Sequence, residues 1–184
     1  MGQKGGSAMA SGVKAMDYDA YGLFIGGSFV SGGGRKTMPV IDPATGDQVA
    51  SVPEASVQDV NAAIQSAHEA WTGWRKLPAW TRADFLHQAA NVMTARTQEV
   101  ARTMVIESGK PIAQARREWQ LSIDQFRWHA EEARRIYGRI VESRAPGGRI
   151  EVHHEPVGVV AAFTAWNFPA VLIARKVAPA LAAG

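Results

Sequence analysis

The hydrophobic pattern changes period along the chain. Over residues 21–52 apolar positions come in short runs broken by turn residues. GLFIGGSFV carries a Gly26-Gly27 hairpin signal, and VIDPATGDQVASV sets a Pro/Gly turn between two strand-like pieces, which predicts antiparallel pairs. From Ser56 the period becomes helical. Ser56 and Asp59 form an S-x-x-D capping signal, and Val60, Ile64, Ala67, Trp71 and Trp74 follow at spacings of three and four. Thr81 with Asp84 repeats the signal before Phe85, Ala89 and Met93, and a third helix start is read at Thr97 with Gly109 as its stop. Pro111 then suits a first helical turn, and Ile112, Ala115, Trp119, Ile123, Phe126, Ala130, Ala133 and Tyr137 predict one long amphipathic helix ending at Gly138.

The next stretch, GRIVESRAPGGRIEVHHEPV, predicts a hairpin about Pro146-Gly147-Gly148, with Ile150 and Val152 alternating against Glu151 and His153. Residues 157–164, VGVVAAFT, are almost unbroken in their apolarity, the pattern of a strand covered on both faces in a parallel sheet. A helix is expected directly after it. Asn167 is a good cap, Phe168 precedes a proline and so avoids helical geometry, and Pro169 fits the first turn because its missing N–H has no helical partner there.

Composition narrows the function classes. The 184 residues, 46% apolar and 20% charged, are those of an ordinary globular chain. The net charge of +3 gives no argument for nucleic acid, because Lys4 and Lys14 in the acid-free residues 1–16 supply two of the three charges. Residues 1–20 are read as a flexible leader; they lack a secretory apolar run, and Gly6 breaks a myristoylation pattern. Arg175 and Lys176 interrupt the most hydrophobic region, so no membrane span is expected, and the protein is read as soluble and cytoplasmic.

The aromatics Trp119, Phe126 and Trp128 on the long helix are read as core rather than a stacking platform, and the intervening Arg and Glu residues as its solvated face. No metal site is expected. His153 and His154 are adjacent and would point to opposite faces of a strand, while His68, His87 and His129 lie on predicted helices without an H-E-x-x-H pattern. The chain has no cysteine, which excludes a disulfide framework, a thiolate metal site and a cysteine nucleophile within these residues.

Asn167 carries two readings at this point. It caps a helix, or it stands where a strand runs into a helix N-terminus, the place at which α/β sheets bind nucleotides. The segment TAWNFPAVLIARKVAPALAAG resembles that of the NAD(P)-dependent aldehyde dehydrogenase superfamily, whose pattern is W-N-F-P followed by K-x-x-P-A-L-A-x-G. FIGGSFV, IDPATGD, ESGKP at residues 107–111 and EPVGVV fall in the family's order, so the resemblance spans residues 21–184. Ala165 departs from it, standing where the family usually has proline.

The resemblance implies an α/β fold of which these residues are the N-terminal part. Residues 21–137 would open the cofactor-binding domain, 138–156 would form an oligomerisation-type hairpin, and 157–184 the first strand and helix of the nucleotide-binding sheet. It implies NAD or NADP as cofactor, an aldehyde as substrate, and a homo-oligomer for the full-length chain. In the family a cysteine thiolate attacks the aldehyde, hydride passes to the nicotinamide, and a glutamate-activated water hydrolyses the thioester. Carried over, Asn167 donates its carboxamide to the oxyanion. Ala162, Phe163, Thr164 and Trp166 line the cofactor, largely through backbone contacts, and Lys176 assists proton movement from behind the site. Arg175, just before that lysine, resembles the carboxylate-binding arginine of succinate-semialdehyde dehydrogenases, a role suited to its planar fork of donors. Arg175 has a second reading, as a helix-end residue capping carbonyls or lying in solvent, and semialdehydes of other dicarboxylic acids remain open.

By resemblance the full chain would be longer, with the cysteine, the glutamate and the strands that flank residues 157–164 lying beyond Gly184. The 184 residues alone are therefore expected to be inactive and to expose the edges of that strand. The alternative function is a non-catalytic module that associates through its hairpin with full-length relatives.

Overall fold

The computed structural model describes residues 22–30 and 34–184. The leader read over residues 1–20 lies outside the described residues. Strands β1 (Leu23–Ile25) and β2 (Ser28–Val30) pair antiparallel about Gly26 and Gly27, whose φ values of 62° and 80° are those a tight two-residue hairpin requires. Strands β3 (Thr37–Ile41) and β4 (Gln48–Pro53) form a second hairpin. Its turn is closed by Gly46 N–H donating to the Asp42 carbonyl at 2.8 Å and by Ala44 N–H donating to Asp42 Oδ1 at 2.8 Å.

Helix α1 (Val57–Trp74) starts with the full capping box read from the sequence: Asp59 N–H donates to Ser56 Oγ, and Ser56 N–H to Asp59 Oδ2 at 2.9 Å. Arg35 adds a fork, 2.7 Å and 3.1 Å to the two Asp59 oxygens. That guanidinium, with the Ser56 N–H and hydroxyl, holds the Asp59 carboxyl well below the usual carboxylate range.

Helix α2 (Ala79–Ala95) begins two residues before Thr81. Pro78 sets the entry, and its carbonyl already accepts from Arg82 N–H at 3.2 Å, so the Thr81–Asp84 signal falls inside the helix instead of at its cap. The buried face is Ala83, Leu86 and Ala90 rather than Phe85, Ala89 and Met93. Helix α3 (Thr97–Ser108) ends as expected on Gly109, left-handed at φ 65° with its N–H on the Val105 carbonyl. Helix α4 (Ile112–Ala133) stops five residues before Gly138, because Arg135 N–H turns back to Glu132 and Tyr137 N–H to Arg135. Strands β5 (Arg139–Glu142) and β6 (Arg149–Val152) form the third antiparallel hairpin, and helix α5 (Val171–Ala183) follows.

The strand expected over 157–164 is not formed. Residues 153–165 join no ladder, and the described sheets are three separate two-stranded pairs. Apolarity marks a segment fit for a sheet interior, but a strand exists only where a neighbour supplies ladder partners, and no described strand runs beside this one. Val157 is 92% exposed and Phe163 86%. Asn167 and Pro169 also differ from expectation. Residues 166–170 form turns, Ala170 is the N-cap, and Pro169 precedes the first helical turn instead of lying in it.

The core sits where α2, α4 and α5 meet, at Ala83, Leu86, Ala130, Ala133 and Ala182 with Phe126 against them. A second cluster, Ala101, Met104 and Ala115 with Ala170 packed on it, joins α3 and α4 to the start of α5. The two clusters fix both ends of α5 against the same long helix.

Candidate active site

The N-terminus of α5 is built from distant residues. Helix geometry leaves its first N–H groups without helical acceptors, and Ala170 and Val171 direct theirs to Glu118 Oε1 at 2.9 Å and 3.2 Å. The other Glu118 oxygen pairs with the Lys110 ammonium. Lys110 also donates to the Asn167 carbonyl at 3.1 Å and lies 4.5 Å from the centre of the Phe168 ring. Gly109 gives Lys110 its direction by ending α3 in a left-handed turn.

Glu118 is 2% exposed, so it does not belong to the solvated face assigned to the acidic and basic residues of α4. Its position was readable: it falls three residues after Ala115 and four before Ser122, on the stripe of small residues that α4 buries. Lys110 lay inside the ESGKP stretch without a role of its own.

Asn167 is exposed, its carbonyl is held by Lys110, and its carboxamide is not engaged by any described residue. Trp166, 85% exposed, faces a small recess with Pro43, Glu107, Ser108 and Pro169. Ala162 and Lys176 come together in a cleft of about 450 Å³ walled by Trp71 and Trp74 of α1, residues 158–160, and Val177 and Leu181 of α5. Phe163 and Thr164 are exposed beside it. Arg175 is exposed on α5, lines neither space, and makes no ion pair among the described residues.

The tryptophans predicted as the apolar face of α1 have a polar use too. Trp71 Nε1 donates to the Gly184 carbonyl at 2.9 Å and Trp74 Nε1 to that of Leu181 at 3.0 Å, satisfying carbonyls at the far end of α5.

Residues 162–166 present main-chain groups of the kind a dinucleotide could use. Their backbone N–H and C=O groups are unbonded among the described residues, and the Phe163 and Trp166 rings are open for stacking. Among the described residues no three His, Cys, Asp or Glu side chains gather as a metal site. No described helix is long and apolar enough to cross a membrane.

The chain is similar to known proteins in sequence and in fold. The chain is 41% identical over 162 residues to 4-(hydroxymethyl)benzenesulfonate dehydrogenase of Comamonas testosteroni, covering 88% of this chain and 34% of that one. It is 40% identical over 160 residues to the NADP+-dependent succinate-semialdehyde dehydrogenase of Escherichia coli, covering 87% and 33%. The crystal structure of succinate-semialdehyde dehydrogenase from Burkholderia pseudomallei superposes with a TM-score of 0.87 at 38% identity, over 93% of this chain and 36% of that one. The chain thus spans about a third of the length of the curated relatives it matches. Residues 29–184 match the model of the aldehyde dehydrogenase family, and the chain belongs to that family, with the α/β architecture of the N-terminal part of its fold.

Proposed function

We propose that these residues supply the oxyanion side of an NAD(P)-dependent aldehyde dehydrogenase that oxidises a semialdehyde, succinate semialdehyde or a near relative, to the acid. One observation carries the reading. Asn167 offers an unengaged carboxamide in a turn immediately before a helix N-terminus, with its own backbone held by Lys110. A neutral amide stabilises a developing oxyanion without losing a proton, and the adjacent helix dipole has the right sign to help.

The cofactor of the family is NAD or NADP. Residues 162–166 would hold it through their main chain, and when bound it accepts the hydride. Lys176 lines the cleft together with Ala162, which supports reading it as the residue that would assist proton movement there. Arg175 has a guanidinium free among the described residues to meet the distal carboxylate of a semialdehyde. The β5–β6 hairpin, with Ile140, Val141 and Ile150 exposed, is read as a surface for a homo-oligomer. The thiolate must come from outside these 184 residues, which contain no cysteine.

The test is Asn167→Ala in a dehydrogenase assembled from this chain and the catalytic portion of a relative. Loss of one oxyanion donor lowers kcat by about 10²–10³, with cofactor affinity retained. Lost affinity with kcat retained refutes the oxyanion role. The absence of cysteine also favours a second reading, a non-catalytic module that docks on full-length relatives. Mixing the chain with such a relative and following co-elution separates the two.

A further inference from the structure

Four of five consecutive residues, Asn167, Phe168, Ala170 and Val171, are held from one ion pair, between the partly buried Lys110 and the buried Glu118. Glu118 takes the two helical N–H groups, and Lys110 takes the Asn167 carbonyl and the face of Phe168. Every one of these contacts grips backbone or the neighbouring ring. The Asn167 carboxamide is left out of them.

Stability alone does not account for such a pair. Taking a carboxylate and an ammonium out of water costs several kcal/mol per ion, and well-packed apolar residues often do as well. What the pair supplies is direction. Glu118 lies on the second turn of α4 and Lys110 directly follows the left-handed end of α3, so the turn is referenced to two packed helices rather than to the exposed segment that precedes it. We propose that Lys110 and Glu118 are positioning residues that fix the Asn167 turn, setting where its carboxamide N–H meets the oxyanion. The inference rests on the oxyanion role of Asn167. It adds the device that aims it.

A displacement of 1 Å at a catalytic group costs on the order of 10²-fold in rate. In the assembled dehydrogenase, Lys110→Met and Glu118→Gln should therefore each lower kcat by about 10- to 100-fold. The aldehyde KM and the cofactor Kd should stay within about twofold, because neither side chain lines the cleft or bonds to residues 162–166. The decisive arm is non-additivity. In an Asn167→Ala background either substitution should lower kcat by less than about twofold further, since nothing remains to be aimed.

The 184-residue chain gives a readout without activity. Amide hydrogen exchange at Ala170 and Val171 should accelerate at least about tenfold in Glu118→Ala, while the buried amide of Ile123 keeps its protection and certifies the fold. Should Glu118→Ala fail to fold, Lys110→Met leaves the helix cap in place and carries the test through the kinetic arms. Full losses persisting in the Asn167→Ala background, or unchanged exchange at Ala170 and Val171, overturn the positioning role alone. An unchanged kcat in Asn167→Ala itself overturns the oxyanion role and the positioning role together.

Discussion

Glu118 and Arg82 hold α5 by its opposite ends. The carboxylate takes the N–H groups of Ala170 and Val171, and Arg82 Nε donates to the Ala182 carbonyl at 3.1 Å while its Nη1 reaches Leu77 at 2.6 Å. Each charge sits at the helix end whose dipole it complements, the anion at the start and the cation at the finish. Burial pushes the Arg82 guanidinium below its ordinary value, the expected effect of desolvating a cation whose partners among the described residues are neutral carbonyls.

Arg82→Met should destabilise the 184-residue chain by about 2 kcal/mol, since hydrogen bonds to a charged group are lost and the freed carbonyls keep no equal partner. Urea denaturation followed by circular dichroism measures it. A change in midpoint too small to resolve would show that Trp71 and Trp74 suffice at that end.

Asp59 makes stability depend on acid. Arg35 first, then the Ser56 backbone and hydroxyl, hold its carboxyl below the usual range in the folded chain. The unfolded chain, with a carboxyl pKa of about 3.9, therefore takes up the proton first. The contribution is complete above that value and is lost as pH falls toward the lower folded pKa. Thermal melts from about pH 6 down to pH 2 should show wild type falling more steeply than Asp59→Asn, with the two converging at the acid end. Parallel curves would refute the linkage.

Substrate choice tests Arg175. A guanidinium–carboxylate contact is worth roughly 1.5–3 kcal/mol, about 10- to 150-fold. In the assembled enzyme Arg175→Ala should cut kcat/KM for succinate semialdehyde relative to an uncharged aldehyde of similar length by at least about tenfold. An unchanged ratio would leave the substrate class at aldehydes in general.

The unladdered residues 153–165 place Val157, Val160 and Phe163 in solvent. Apolar backbone whose N–H and C=O groups are unbonded among the described residues invites pairing between molecules. The 184-residue chain should associate at micromolar concentration in analytical ultracentrifugation, and Val160→Lys should suppress this with helix content unchanged. A monodisperse wild-type monomer would contradict the prediction.

What could be read beforehand was what the backbone demands locally. Gly26-Gly27, the Ser56–Asp59 box, the Gly109 stop and the turn at Pro146-Gly147-Gly148 all satisfy constraints within a few residues of themselves, and each is where the pattern put it. For Glu118 the stripe with Ala115 and Ser122 could mark its burial but not its use, because the N–H groups it accepts lie 52 and 53 residues downstream. The start of α5 misled for the same reason: Asn167 has the chemistry of a cap, but the N–H groups were already taken by a residue from another helix. Residues 157–164 failed differently, since a sheet interior is a relation between segments and one segment's composition cannot supply it. The W-N-F-P junction does form a turn, at residues 166–170, while the cleft lined by both Ala162 and Lys176 depends on α1 and was invisible.

The seam between α2, α4 and α5 is lined mainly by Ala83, Ala130, Ala133 and Ala182. Methyl groups have no rotamers to surrender on burial and let helices approach closely, but they also leave no slack. A larger side chain at Ala182 is a wedge under one end of a lever, because α5 has 13 residues and runs about 20 Å at 1.5 Å per residue. Asn167 stands at the other end. The tilt of the turn that carries it is thus governed by the thickness of a joint it never touches.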